Sequence, residues 1–206
     1  MVARVAVLLS GRGSNFLALH GAMARGEVPA EIVLVLSNEP EAPGLARARE
    51  LGLPAAAIPH GEAGGRTAHE ERVLAALAQA RADWICLAGY MRLLSPAFVA
   101  RYPRRILNVH PSLLPAFPGL EAQRQALEYG VRVSGCTVHL VDEGLDSGPI
   151  VEQRAVPVLD GDTPETLSAR ILGQEHLAYP AALLRLLTEP WGVAGGRVVF
   201  GPEEGA

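Results

Sequence analysis

Along the first two-thirds of the chain, unbroken apolar runs alternate with segments whose apolar positions fall three and four residues apart. "RVAVLLS" (4–10), "EIVLVLSN" (31–38), "DWICLAG" (83–89) and "RILNV" (105–109) are of the first kind. Continuous runs of this length read as strands buried on both faces. "PAAAIP" (54–59) is a weaker strand between them. "NFLALHGAMARG" (15–26), "GLARARELG" (44–52) and "RTAHEERVLAALAQAR" (66–81) are of the second kind, and Gly26 and Gly52 close the first two. "SPAFVARY" (95–102) is a further short helix, with Ser95 as N-cap and Pro96 at the first helical position. Buried strands alternating with helices predict a Rossmann-like α/β fold. Its sheet is mostly parallel and twisted, with right-handed crossovers and helices on both faces.

After residue 130 the pattern changes. "GCTVHLV" (135–141) alternates, and "PIVEQRAVPV" (149–158) is another extended run, so the C-terminal part is expected to be mixed, with added and partly antiparallel strands. "TPETLSARILGQEHLAYPAALLRLLTE" (163–189) is a long helix capped by Thr163, and Pro180 predicts a bend or break before it. "GGRVVFG" (195–201) predicts one short terminal strand. No repeat, low-complexity tract or linker interrupts the chain, so 1–206 is read as a single domain.

Composition narrows the chemistry. Nearly half of the 206 residues are hydrophobic and the net charge is −4. That is a globular protein without the basic block that tracks nucleic-acid phosphates. Every cationic side chain is arginine, which excludes lysine Schiff bases and leaves phosphate to arginine, backbone N–H groups, hydroxyls and amides. Cys86 and Cys136 form neither a disulfide framework nor a zinc pattern. No apolar run approaches a membrane span, and Val5–Leu9 is too short for a signal peptide. The expectation is a cytoplasmic protein, monomer or homodimer, with no membrane or nucleic-acid partner.

Three polar loops fall at the carboxyl ends of the expected strands, where open α/β sheets bind ligands. "SGRGSN" (10–15) follows a strand and opens a helix. Its glycines and free N–H groups suit an anion, and a glycine-rich turn with an ordinary Ser/Asn cap explains it equally well. In "LAGYMRLLSP" (87–96), Met91, Leu93 and Leu94 are apolar where a loop is normally polar, which suits a flat ring. Loop-to-core packing alone would also account for them. In "LNVHPSLLPAFPG" (107–119), Asn108 and His110 share one face of a strand end. An amide that donates to an oxyanion beside an imidazole that moves protons suits acyl chemistry. A histidine satisfying a backbone carbonyl beside a turn is the plain alternative. "VDEGLDSGPI" (141–150) presents Asp142, Glu143 and Asp146 around glycines. A carboxylate near His110 would raise that histidine's pKa, whereas an acidic hairpin turn needs no function. The acids lack a matching ligand pattern, so no metal is expected.

Together and in this order, "SGRGSN", "LAGYMRLLSP", "NVHPSLLPAFPG" and "VDEGLDSGPI" resemble the glycinamide ribonucleotide formyltransferase family of purine synthesis, over roughly residues 4–188. The resemblance implies the formyltransferase fold. It implies a phosphate-binding half of about 1–100 and a folate-binding, catalytic half of about 101–190. It implies that Gly13, Ser14 and Asn15 bind the ribonucleotide phosphate and that Glu175 helps hold that substrate. The 10-formyltetrahydrofolate co-substrate is expected at Arg66, Met91, Arg92, Leu93, Leu94 and Asn108, and at Val141, Asp142, Glu143, Gly144 and Asp146. The implied catalytic trio is Asn108, His110 and Asp146. The glycinamide amine attacks the formyl carbon, Asn108 and His110 stabilise the oxyanion, Asp146 holds His110 charged, and no metal takes part.

The chain departs from the family pattern in two places. Leu172 stands where the family often has Lys or Gln near the phosphate, and Glu121-Ala122-Gln123 stands where histidines are common. A methionyl-tRNA formyltransferase would share 108–119 and is expected to add a basic RNA-binding domain. A formyltetrahydrofolate hydrolase would share the trio and usually adds an N-terminal regulatory domain. A non-catalytic folate- or nucleotide-binding module would not need the trio. A nicotinamide oxidoreductase would need the G-x-G-x-x-G fingerprint, which is missing.

Overall fold

The computed structural model describes residues 2–60 and 65–201. The chain divides between Leu107 and Asn108 into two compact units.

The first unit holds β1 (Ala3–Leu9), α1 (Ser14–Ala24), β2 (Ala30–Ser37), α2 (Pro43–Glu50), β3 (Ala55–Ala57), α3 (Arg66–Gln79), β4 (Trp84–Leu87) and α4 (Pro96–Val99). It ends inside β5 (Ile106–His110). The strand order is β3-β2-β1-β4-β5. β1 pairs in parallel with β2 and β4, and β2 with β3. Val5 to Leu9 are all inaccessible to solvent, as a central strand covered on both faces requires. Trp84 is buried at the start of β4, and the Arg105 guanidinium lies 4.8 Å from its ring.

The second unit takes up β5 at Asn108 and continues with α5 (Ala122–Tyr129), β6 (Val133–Leu140), β7 (Ile150–Pro157), α6 (Pro164–Thr188), β8 (Trp191–Ala194) and β9 (Arg197–Phe200). Its order is β5-β6-β7-β9-β8. β6 and β7 are antiparallel, β7 and β9 parallel, β8 and β9 antiparallel. The mixed α/β character expected of the C-terminal part is therefore present.

Three details differ from the sequence reading. α6 runs without a break through Pro180. Its buried residues, Leu167, Ile171, Glu175, Ala178, Tyr179, Ala182, Leu183 and Leu186, keep helical spacing across the proline, and the helix lies on β6 and β7. That packing offsets the roughly 3 kcal/mol a helix-interior proline costs. The C-terminal segment is a hairpin and not a single strand, because Gly195 and Gly196 both take positive φ, 56° and 78°, as a tight hairpin turn requires. α5 was not assigned from the sequence, although "AQRQALEY" consists largely of helix formers and stops at Gly130 with φ 85°.

Candidate active site

In the first unit, Gly13 sits at φ 74° as the N-cap of α1, with no side-chain cap. An added Cβ there would lie 2.9 Å from the Gly44 Cα. Gly44 N donates to Gly11 O at 3.0 Å, so the 10–15 loop is laid against the start of α2. Ser14 is half-buried and Asn15 is buried in the first turn of α1. Ser10, which the sequence reading passed over, ties this loop to the next. Its N–H donates to Gly89 O at 3.0 Å. Its Oγ accepts from Met91 N at 2.9 Å and donates to Asn38 Oδ1 at 2.5 Å.

Met91 and Leu93 are 65% and 64% exposed, and Arg92 and Leu94 are half-buried. Tyr90 beside them is pushed up to about 12 by burial and stays a phenol. Arg66 opens α3. Its Nε donates to Glu70 Oε1 at 3.2 Å and its Nη2 to Leu93 O at 2.9 Å.

In the second unit β5 ends at His110, because Pro111 has no N–H to continue the ladder. Thr137 on β6 holds the start of the loop that follows. Its Oγ1 donates to Ser112 O at 2.7 Å and accepts from Leu114 N at 2.9 Å. Gln153 Nε2 donates to Leu114 O at 2.9 Å. The loop then folds back onto the histidine: Phe117 O lies 2.8 Å from His110 Nε2. A carbonyl only accepts, so this ring nitrogen carries a proton. Asp146 Oδ2 lies 3.3 Å from His110 Nδ1 and accepts from Gly119 N at 2.8 Å. Phe117 and Asp146 have φ of 55° and 50°, a region that costs non-glycine residues strain and that clusters at functional sites.

Asn108 meets a residue that the sequence reading did not single out. Its Nδ2 lies 3.1 Å from His139 Nε2, and His139 Nδ1 donates to Leu140 O at 3.1 Å. Burial lowers the His139 pKa, partly countered by that backbone bond and by Asp146. The ring is therefore neutral, and the 3.7 Å approach of its Nε2 to Asp146 Oδ1 is not an ion pair. The signal in the sequence was a histidine at an inward position of the alternating run "GCTVHLV".

The acidic loop after β6 is partly structural. Asp142 Oδ1 accepts from Gly144 N at 3.0 Å and from Ser147 Oγ at 2.8 Å. Val141 is half-buried, and Glu143 and Gly144 are exposed. Glu175 is buried on α6, and Leu172 is half-buried one turn before it. Glu121 caps α5 at φ 56°. Burial, and Glu175 second, push the Cys136 thiol up to about 12, so it is inert as a nucleophile. Among the described residues no cluster of His, Cys, Asp or Glu is placed to hold a metal ion, and no helix is long and apolar enough to cross a membrane.

A buried imidazole braced by a carboxylate, with a carboxamide held in one orientation beside it, can stabilise an oxyanion and pass a proton. The chain is 52% identical over 186 residues to the trifunctional purine biosynthetic protein adenosine-3 of Drosophila pseudoobscura pseudoobscura, covering 89% of this chain and 14% of that one. It spans only 13% to 18% of the length of the trifunctional relatives. It is 41% identical over 179 residues to phosphoribosylglycinamide formyltransferase of Escherichia coli (strain K12), covering 87% of this chain and 84% of that one. The crystal structure of glycinamide ribonucleotide transformylase 1 from Symbiobacterium toebii superposes with a TM-score of 0.94 at 47% identity, over 97% of this chain and 94% of that one. A family model described as Formyl transferase matches residues 3–183, and the chain belongs to that family.

Proposed function

We propose that this protein transfers the formyl group of 10-formyltetrahydrofolate to the primary amine of glycinamide ribonucleotide, a step of de novo purine synthesis carried out in the cytoplasm. The observation that carries the reading is the Asn108–His110–Asp146 arrangement at the end of β5 in a chain of this family. The free amine adds to the formyl carbon and gives a tetrahedral oxyanion. The Asn108 amide donates to that oxygen with the N–H not directed at His139. His110 faces an acceptor at each ring nitrogen, Phe117 O and Asp146 Oδ2, and the ring serves both only when both nitrogens carry protons. In that doubly protonated form the ring sets a positive charge against the oxyanion. The C–N10 bond then breaks, the formyl carbon stays on the glycinamide nitrogen, and the proton that nitrogen sheds passes to N10. His110 and Asp146 are the relay, with a bound water as carrier.

We assign the ribonucleotide phosphate to Gly13, Ser14 and Asn15, where glycine lets the backbone come close to an anion at a helix start. Glu175 is assigned to the same substrate. Leu172 offers that phosphate no donor. The folate is assigned to Arg66, Met91, Arg92, Leu93 and Leu94, and to Val141 through Gly144.

The test is one assay. The protein is mixed with both substrates and tetrahydrofolate release is followed, with a control lacking the nucleotide. Nucleotide-dependent release with formylglycinamide ribonucleotide formed is the expected result. Equal release without the nucleotide would mean a hydrolase and overturn the reading.

A further inference from the structure

The loop that carries Met91 and Leu93 is fastened at both ends. At its start Ser10 N donates to Gly89 O, and Ser10 Oγ accepts from Met91 N. At its end the clamp is Glu70, a carboxylate only 8% exposed on α3. Glu70 Oε1 accepts from Ser95 N at 2.9 Å and from Arg66 Nε at 3.2 Å, and Oε2 accepts from the Ser95 hydroxyl. Ser95 in turn caps α4 through Phe98 N at 3.1 Å. Arg66 closes the arrangement from the middle, through Leu93 O.

A buried carboxylate is costly unless its lone pairs are filled. This one is filled by donors from its own helix and from the loop. Two large apolar side chains stay exposed on a loop held this firmly. That is the construction of a preset binding frame, which need not be ordered when a ligand arrives. The same carboxylate occupies Arg66 Nε. Leu93 O takes one hydrogen of Nη2, and among the described residues no acceptor is recorded for Nη1, which can meet an incoming acid.

We infer that Glu70 is a positioning residue for the folate co-substrate: it presets the Gly89–Ser95 loop and the orientation of Arg66, and so sets folate affinity without touching the reacting atoms. The inference rests on the folate assignment made above. Glu70→Gln keeps the shape. It removes the charge opposite Arg66 and leaves the Ser95 O–H without its acceptor.

Wild-type enzyme is assayed first for nucleotide-dependent release. KM for each substrate and kcat are then measured for Glu70→Gln, Glu70→Ala and Ser95→Ala. For Glu70→Gln the KM for 10-formyltetrahydrofolate is expected to rise about tenfold, the order lost with one charge-assisted hydrogen bond. The KM for the ribonucleotide and kcat at saturating folate are expected to stay within about twofold. Ser95→Ala is expected to shift the same KM less, and it carries the test if Glu70→Ala does not fold. An unchanged folate KM, or a fall in kcat with both KM values unmoved, would overturn the inference. If the wild type shows no nucleotide-dependent release, the functional reading has failed. The calorimetric Kd for tetrahydrofolate then decides on Glu70, since weaker binding in Glu70→Gln supports its role and equal binding overturns it.

Discussion

Asn108 and His139 fix each other's hydrogen-bonding sense, with Nδ2 of the amide 3.1 Å from Nε2 of the imidazole. The Leu140 carbonyl takes the proton on His139 Nδ1, and burial keeps the ring neutral, so Nε2 accepts. A flipped amide would set an oxygen lone pair against a nitrogen lone pair. One N–H of Asn108 is thereby used, and the direction of the other is set.

His139→Leu removes the acceptor and lets the amide rotate. A donor that must be reoriented in the transition state costs about one net hydrogen bond, on the order of 1 kcal/mol. Turnover should fall roughly five- to tenfold, with little change in either KM. His139→Gln restores an acceptor and should recover part of the loss. Steady-state kinetics on the two variants check this, and equal kcat values for Leu and wild type would remove His139 from the mechanism.

Asp146 has two partners, His110 Nδ1 at 3.3 Å and Gly119 N at 2.8 Å. Asp146→Asn is nearly isosteric and, with its amide oxygen in the place of Oδ2, can keep both contacts, but it removes the negative charge beside His110. The expected loss in kcat is at least about 10²-fold, the lower end of what a positioned acid–base group supplies. His110→Ala should abolish most turnover while ribonucleotide binding, followed by calorimetry, is largely kept. An Asp146→Asn enzyme with wild-type kcat would leave Asp146 a loop anchor only.

Much of this fold was legible because burial writes directly onto the sequence. Val5–Leu9 is a continuous apolar run because both faces of β1 are covered. Gly26 and Gly52 close α1 and α2 because each takes positive φ just past the helix end. Pro180 misled, because the rule for proline concerns an isolated helix, whereas α6 is held by its packing on β6 and β7. The candidate site was legible where its residues stand close together in the chain, as at Asn108 and His110 on β5. It was not legible where the partner is a backbone atom or lies far along the chain. Phe117 acts through its carbonyl, and the Glu70–Ser95 contact spans 25 residues. Arg66 and Glu70 do stand at i and i+4 in the sequence, but that spacing alone suggests only a surface ion pair.

Gly148, two residues after Asp146, has no space for a side chain. An added Cβ would sit 1.8 Å from Leu140 O and 3.2 Å from Asp142 N, and backbone atoms cannot swing away. Gly148→Ala should destabilise the protein by roughly 3 kcal/mol, the upper end of overpacking costs, and should displace the turn that presents Asp146. Urea denaturation reads the first effect. In the folded fraction, kcat should fall more than either KM rises. Gly161, whose Cβ would meet nothing within 4 Å, is the control position, and Gly161→Ala should change neither.

Acid should destabilise this protein through three of its histidines. His69, His139 and His176 all have pKa values lowered, in each case chiefly by burial. In the unfolded chain they titrate near ~6.5. Above that value both states are neutral at these positions and the stability is fully present. As pH falls below it, the unfolded chain binds protons that the folded one refuses, so the unfolding free energy drops until the folded pKa values are reached. His69 is the cleanest probe. It is buried, its Nε2 lies 2.9 Å from Ile58 O, and its Nδ1 has no hydrogen-bond partner among the described residues. His69→Gln can keep the bond to Ile58 and cannot titrate. Its denaturation midpoint should fall less than that of the wild type between pH 7 and pH 5, and parallel losses in the two proteins would show that His69 contributes nothing to the acid sensitivity.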